Sequence, residues 1–229
     1  MVDKNINIGI YPIWKPKNIT SSEVVRHIKK IYNLEKAGHC GTLDPFAEGV
    51  IIVLSNDKTK ESEKYMNDIK VYETTILLGS QTDTLDPTGE ILRHKEIELN
   101  TITEEKIREN LKKFIGNIKQ RPPCFSAKRI NGVRLYKLAR KDVFVYLKPV
   151  NVHIEAIDLI SYSEDEITIE VVCHKGVYIR QLGIDIANSL GTIGYLKSLT
   201  RKSIGEFNQN NGLIKTLNET PLAQIKSKI

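Results

Sequence analysis

Apolar and polar positions along the chain alternate between two periods, and the switches between them outline the elements. Ile6 to Trp14 reads as an opening strand that ends at Lys15-Pro16, where proline cannot donate into a ladder. Thr20-Ser21-Ser22-Glu23 has capping-box spacing, and Val24, Val25, Ile28, Ile31 and Tyr32 recur at helical intervals, which predicts a helix from Ser21 to Tyr32. The unbroken apolar run Val50 to Leu54 reads as a buried strand, Lys58 to Asn67 as a polar helical stretch, and Val71 to Leu78 as a strand carrying Tyr72. Thr103, followed by Glu104 and Glu105, opens a helix with Ile107, Leu111 and Phe114 on one face and Gly116 as its stop. Within Val152 to Cys173 a hairpin-like pair is expected, because Ile167, Ile169, Val171 and Cys173 alternate with mostly polar neighbours. Ile179, Leu182, Ile186 and Leu190 share a helical face closed by Gly191, and Tyr195 to Ser203 adds a further strand. Beyond Phe207 the chain turns polar. The pattern is that of one domain over residues 1–208 with a short tail, 209–229, and without room for a second full domain.

Composition narrows this picture. A chain of 229 residues, 40% hydrophobic and 27% charged, is ordinary for a folded globular protein. Its longest apolar runs are about five residues, against the roughly 20 that a membrane helix needs, and Met1-Val2-Asp3-Lys4-Asn5 lacks the apolar core of a secretion signal. No membrane association and a cytoplasmic address are expected. Cys40, Cys124 and Cys173 lie far apart without a CxxC pair, so they read as free thiols, and the adjacency of His39 and Cys40 does not make a metal site.

Charge is concentrated. The net charge is +6, yet ten basic residues and no acidic ones fall between Asn110 and Lys141, leaving −4 for the remainder. Arg121, Lys128, Arg129, Arg134, Lys137 and Arg140 are interleaved there with Phe125, Tyr136 and a Pro122-Pro123 pair, a mixture of cations and stacking surfaces suited to a phosphate backbone with unpaired bases. Arg121-Pro122-Pro123 forbids regular structure and Asn131-Gly132 marks a tight turn. The segment, about residues 117–147, is expected to project as a gripping insertion.

Candidate chemistry centres on Gly38-His39-Cys40-Gly41-Thr42-Leu43-Asp44-Pro45-Phe46-Ala47-Glu48-Gly49. Its glycines and proline exclude helix and ladder and describe a loop held against the strand Val50 to Leu54, presenting Asp44. Thr84-Leu85-Asp86-Pro87 repeats the phrase Thr42-Leu43-Asp44-Pro45, and since Asp-Pro is first of all a turn starter, the residues alone do not decide between the two aspartates. The neighbouring His39 and the glycine-rich setting favour Asp44. Arg180 and Tyr178 lie at a helical first turn, where an arginine is by default a surface cation.

Taken together, these residues resemble the TruB-type tRNA pseudouridine synthases. The likeness runs in order through Lys15-Pro16, Gly38 to Gly49, Tyr72, Thr82-Asp83-Thr84-Leu85-Asp86, Phe125-Ser126-Ala127-Lys128, Leu135-Tyr136 and Lys175-Gly176-Val177-Tyr178-Ile179-Arg180, covering about Ile8 to Phe207. It implies an α+β fold with a mixed, mostly antiparallel sheet flanked by helices and loops, and makes the basic insertion similar to an RNA-gripping thumb. It further implies isomerisation of a flipped tRNA T-loop uridine, expected at tRNA position 55, with no cofactor and no metal; a monomer is expected. By the same resemblance Asp44 is the catalytic carboxylate and Arg180 the arginine that pairs with it. Tyr72 stacks on the target base, Tyr178 and Leu196 line the uracil pocket, His39 stands beside the flipped nucleotide, and Lys15 supports the site or a phosphate. Cys40, Glu48 and Trp14 depart from the commoner residues at their positions without removing a catalytic group. The short end lacks room for the C-terminal RNA-binding module of many relatives, so RNA grip is expected to rest on the insertion. Two rival readings are a related synthase with another RNA target and a non-catalytic RNA chaperone.

Overall fold

The computed structural model describes residues 9–97, 101–126, 128–130, 132–141, 143, 145–211 and 215–216. In chain order the first elements are β1 (Ile10–Lys15), α1 (Ser21–Ile31), β2 (Ala37–His39), β3 (Glu48–Ser55), a 3-10 turn leading into α2 (Ser62–Asn67), and β4 (Lys70–Leu78). The hairpin of β5 (Ser80–Thr82) and β6 (Ile91–His94) follows, then α3 (Glu104–Lys112), β7 (Gly116–Gln120), the small hairpin of β8 (Arg129–Ile130) and β9 (Val133–Arg134), and α4 (Leu135–Ala139). The rest comprises β10 (Val150–Tyr162), β11 (Glu166–Cys173), α5 (Ile179–Ser189), β12 (Gly194–Ile204), β13 (Phe207–Asn208) and β14 (Lys215–Thr216). Two compact units emerge, Met1–Tyr72 with Thr200–Ile229, and Glu73–Leu199.

In the first unit β3 is the central strand. Residues 49–54 of it pair antiparallel with β1, from Ile10↔Leu54 to Lys15↔Gly49. Along its other edge it has two partial neighbours: β2 covers the end, with His39↔Val53, and β12 runs parallel at the start, with Arg201↔Gly49. The chain between them, residues 40–47, leaves the sheet at this break. Both faces of β3 are covered. Ile51 and Val53 pack with Tyr11, Ile13 and the α1 residues Val24 and Ile28, while Val50, Ile52 and Leu54 pack with Cys40, Tyr65, Ile204 and Phe207. Burial on two sides is why this strand reads as an unbroken apolar run. Helix α1 starts at the expected capping box, in which the Thr20 hydroxyl accepts from the Glu23 amide and the Glu23 carboxylate accepts from the Thr20 amide.

Helix α1 also buries His27, which is 6% exposed and whose ring nitrogens find no hydrogen-bond partner. Burial, seconded by the Lys30 ammonium, holds its imidazole below the ordinary histidine range. The folded chain therefore resists a proton that the unfolded chain accepts near pH 6.5, so this contribution to stability is intact above about 6.5 and is lost as the pH falls further. Thermal unfolding of His27→Leu should show a smaller drop in Tm between pH 7.5 and pH 5 than the unsubstituted chain; an equal drop would rule His27 out as the acid-sensitive group.

In the second unit the strands follow the order β12, β4, β11, β10, β7. Antiparallel pairing joins β10 to β11, with register shifts between Ile154 and Ala156 and between Leu159 and Ser161, and joins β10 to β7 from Val150↔Gln120 to Ile154↔Gly116. The inward residues of β11 are Ile167, Ile169, Val171 and Cys173, all at most 1% exposed, as their alternation predicts. Helix α5 lies close over the sheet because Gly183 lets it: a Cβ there would stand 2.5 Å from Leu196 Cδ2. The architecture is the expected α+β one, a mixed and mainly antiparallel sheet with helices.

Residues 117–120 of the expected insertion belong to β7 and are ladder-paired to β10, so the stretch outside the sheet begins at Arg121. The sequence Gly-Asn-Ile-Lys-Gln hides this, since it carries a single apolar residue and forms the last strand of its sheet order. Residues 6–8 of the expected first strand lie outside the described residues, as does the tail apart from 209–211 and 215–216. Among the described residues no helix is long and apolar enough to cross a membrane.

Candidate active site

The loop 40–47 is irregular, but hydrogen bonds from outside and within it hold its backbone at several points. Ser21, the first residue of α1, donates its hydroxyl to the Leu43 carbonyl and accepts from the Leu43 amide, both at 2.9 Å. The Asn18 amide donates to the Pro45 carbonyl at 2.7 Å, and the Ala47 amide closes a turn on the Asp44 carbonyl at 3.2 Å. The Cys40 amide continues the ladder onto the Ile52 carbonyl at 2.9 Å. Asp44, half-buried, is presented at the centre of this fixed turn.

Two buried cations complete the support. Lys15, at the end of β1, is fully buried, and its ammonium donates to the carbonyls of Pro16, Ile19, Pro45 and Ala47 at 2.5 to 3.3 Å. Burial pulls it down to about 8, opposed by the negative charge of Asp44. Lys15 thus acts on the loop from beneath as a carbonyl clamp. Arg201, at 1% exposure on β12, donates from Nε to the Val50 carbonyl at 2.7 Å, from Nη1 to the Thr42 carbonyl at 3.4 Å and the Tyr72 hydroxyl at 3.5 Å, and from Nη2 to the Gly41 carbonyl at 3.3 Å. Its guanidinium centre lies 6.0 Å from the Tyr72 ring centroid. Gly49 makes this approach possible: with φ at 122°, a Cβ there would meet the Arg201 amide nitrogen at 2.6 Å and its carbonyl oxygen closer still. Lys15, Asp44, Tyr72 and Arg201 are therefore brought together within the first unit. His39, half-buried, ends β2 where the loop begins.

The second unit assembles another set. Arg180, expected by default on the surface, is 5% exposed. Its Nη1 donates to the Thr84 carbonyl at 2.7 Å, its Nη2 donates to the Phe125 carbonyl at 2.7 Å, and it faces Asp86 Oδ2 at 3.5 Å. Asp86 is equally buried, and its Oδ1 accepts from the Thr84 and Thr88 hydroxyls and from the Thr88 amide. The second Asp-Pro phrase is thus a tightly closed turn built around a satisfied carboxylate. Tyr178 caps α5, and Gln120 grips its backbone from both sides, donating to the Tyr178 carbonyl at 3.1 Å and accepting from its amide at 2.8 Å. Leu196 is fully buried over Gly183, with its amide donating to the Leu85 carbonyl at 3.2 Å.

In the basic segment Arg121, Lys137 and Arg140 are exposed, while Lys128 and Arg134 are half-buried. Arg121 lies over the Tyr146 ring at 4.3 Å, and Arg140 over Tyr136 at 5.6 Å. The Arg129 backbone pairs with Arg134 across the β8–β9 hairpin.

Arg201 and Gln120 are the functional candidates that the sequence does not single out. A signal for the first exists: Arg201 falls two residues after the buried Leu199, on the inward face of an alternating strand, where a cation needs a partner to be tolerated.

Residues 29–179 match the family described as TruB family pseudouridylate synthase (N terminal domain). The chain belongs to the TruB family of pseudouridylate synthases. It is 42% identical over 215 residues to tRNA pseudouridine synthase B of Anaplasma marginale and 43% identical over 200 residues to that of Aquifex aeolicus, covering 93% and 86% of this chain and 69% of each relative. It is also similar to a solved chain from a Cbf5-Nop10-Gar1 complex, with 30% identity and a TM-score of 0.69 over 92% of this chain and 52% of the other. This TruB-family chain thus spans about two thirds of the curated relatives it matches and about half of the solved chain. Within the family frame, the loop carrying Asp44 and its two buried cations form the candidate active site.

Proposed function

We propose that this chain converts a tRNA uridine to pseudouridine, with Asp44 as the catalytic carboxylate. The observation that carries the reading is a carboxylate on a loop whose backbone is fixed by Lys15, Ser21 and Arg201, in a chain 42–43% identical to proteins named tRNA pseudouridine synthase B. The isomerisation breaks the bond from C1′ to N1, turns the uracil and joins C1′ to C5, and a proton leaves C5 while one is gained at N1. A fixed carboxylate serves such chemistry either by attacking the sugar or ring as a nucleophile or by stabilising a cationic sugar while a proton is removed. The target nucleotide must leave its stack to be reached. Tyr72 is held beside the loop by Arg201, which supports its assignment to the target base. His39, Tyr178, Arg180 and Leu196 are proposed to serve the same uridine, at tRNA position 55, in a cytoplasmic monomer.

Tritium release from C5-labelled tRNA transcript tests the reading. Release is expected from the native T-loop and not from a transcript carrying cytidine at the target position; undiminished release from the latter would refute the assigned uridine. Absence of any release, with tRNA still bound, would favour an RNA chaperone.

The basic segment is proposed to grip the tRNA backbone. Because Arg180 donates to the Phe125 carbonyl, deleting the segment would also disturb α5, so exposed cations are the better probes. Arg121, Lys137 and Arg140 changed together to alanine should weaken tRNA binding and lower the slope of log affinity against log salt by about 2 to 3. An unchanged slope would place the grip elsewhere.

A further inference from the structure

Three side chains on one face of the second unit's sheet converge outside the candidate active site. His153 and Glu155 are two apart on β10, and although the register shifts between Ile154 and Ala156 their side chains meet on one side, while His174 follows the last residue of β11, its amide donating to the His153 carbonyl at 3.1 Å. One ligand-capable atom from each lies within 4.8 Å of the others. His174 Nε2 stands 2.5 Å from one Glu155 oxygen and His153 Nε2 3.7 Å from the other, and the two imidazole rings meet edge to face at 5.0 Å.

A fourth residue, from a third strand, orients the set. Asn117 is the register partner of His153, and its Oδ1 lies 2.8 Å from His153 Nδ1. With the amide oxygen accepting, Nδ1 carries the proton and Nε2 turns its lone pair toward Glu155. A histidine fixed through one nitrogen by an oxygen acceptor, with the other nitrogen aimed at a carboxylate and a second imidazole, is the arrangement that metal-binding histidines use.

We propose that His153 Nε2, His174 Nε2 and a Glu155 oxygen bind one zinc-class divalent ion, with Asn117 orienting His153 and a fourth position facing solvent. Two imidazoles and one carboxylate are a borderline donor set that favours Zn²⁺ over Mg²⁺ or Ca²⁺. Tetrahedral coordination at about 2.0–2.1 Å places ligand atoms roughly 3.3 Å apart, so the His174–Glu155 pair would open by about 0.8 Å and the wider pairs close. The side chains are 37–43% exposed and have room for that movement. The ion would staple β10 to β11 at the point where β11 runs into Lys175–Arg180. No spacing in the sequence announces the site, since His174 is remote from the His-x-Glu pair.

Calorimetric titration of the tag-free full chain with Zn²⁺ alone tests this. One equivalent is expected to bind with Kd about 10 µM or tighter, and Tm should rise with Zn²⁺. His153→Ala, His174→Ala and Glu155→Gln should each weaken binding at least about tenfold, Asn117→Ala about tenfold through its loss of orientation, and His94→Ala not at all. Circular dichroism confirms that each variant is folded, and Glu155→Gln, which keeps its size, decides the matter if a histidine variant is not. No saturable binding below 100 µM, or wild-type affinity in folded Glu155→Gln, would overturn the proposal.

Discussion

Asp44→Asn is expected to abolish tritium release from C5-labelled tRNA, lowering turnover by about 10⁴-fold or more. The substitution keeps size and shape while removing the nucleophilic, negatively charged oxygens that either route requires. The loop backbone should stay in place, because Ser21 and Lys15 hold backbone groups of Leu43, Pro45 and Ala47 that the substitution leaves unchanged. The loss should therefore lie in kcat, with tRNA affinity near that of the unsubstituted chain. Turnover within tenfold of wild type would remove Asp44 from the chemistry. A matching loss in Asp86→Asn would come with a lower Tm, since that carboxylate is buried against Arg180, Thr84 and Thr88.

Arg201→Met should cost on the order of 3–5 kcal/mol of stability and depress turnover as well. Methionine fills the volume but leaves the Val50 carbonyl, which takes the Arg201 Nε proton, buried and unsatisfied, and it releases Gly41, Thr42 and Tyr72. Arg201→Lys should not rescue it, because an ammonium at one point does not span the acceptors that the flat guanidinium reaches from Nε, Nη1 and Nη2. Chemical denaturation measures the first effect and single-turnover tritium release the second. A variant that unfolds at the wild-type midpoint would show that the guanidinium is not what holds the loop.

Much of this was legible in the chain. Strand β3 shows in its unbroken apolar run, α1 in its capping box, and β11 in its strict alternation, because local physics writes those patterns directly. The family likeness supplied the reaction. The hidden parts depend on partners remote in sequence. Arg180 looks like a surface cation until Thr84, Phe125 and Asp86 are placed around it. Strand β7 escapes notice because a single apolar residue suffices for its place in the sheet. Lys15 stands out beside Pro16, but its role as a clamp on four carbonyls needs the loop folded over it. Within the glycine-rich phrase the glycines also separate: Gly49 is required by the Arg201 backbone, whereas a Cβ on Gly38 would meet nothing within 4 Å.

The Ser21 hydroxyl, shared between the Leu43 amide and carbonyl, has a dynamic consequence. It splices the first turn of α1 to the reactive loop through one oxygen atom, so the loop cannot rearrange while that turn stays wound and that bond pair holds. The conformation of the Asp44 loop is thereby coupled to the winding of that first turn. Substitutions that fray the start of α1 would be felt as slower catalysis before they were felt as lost fold.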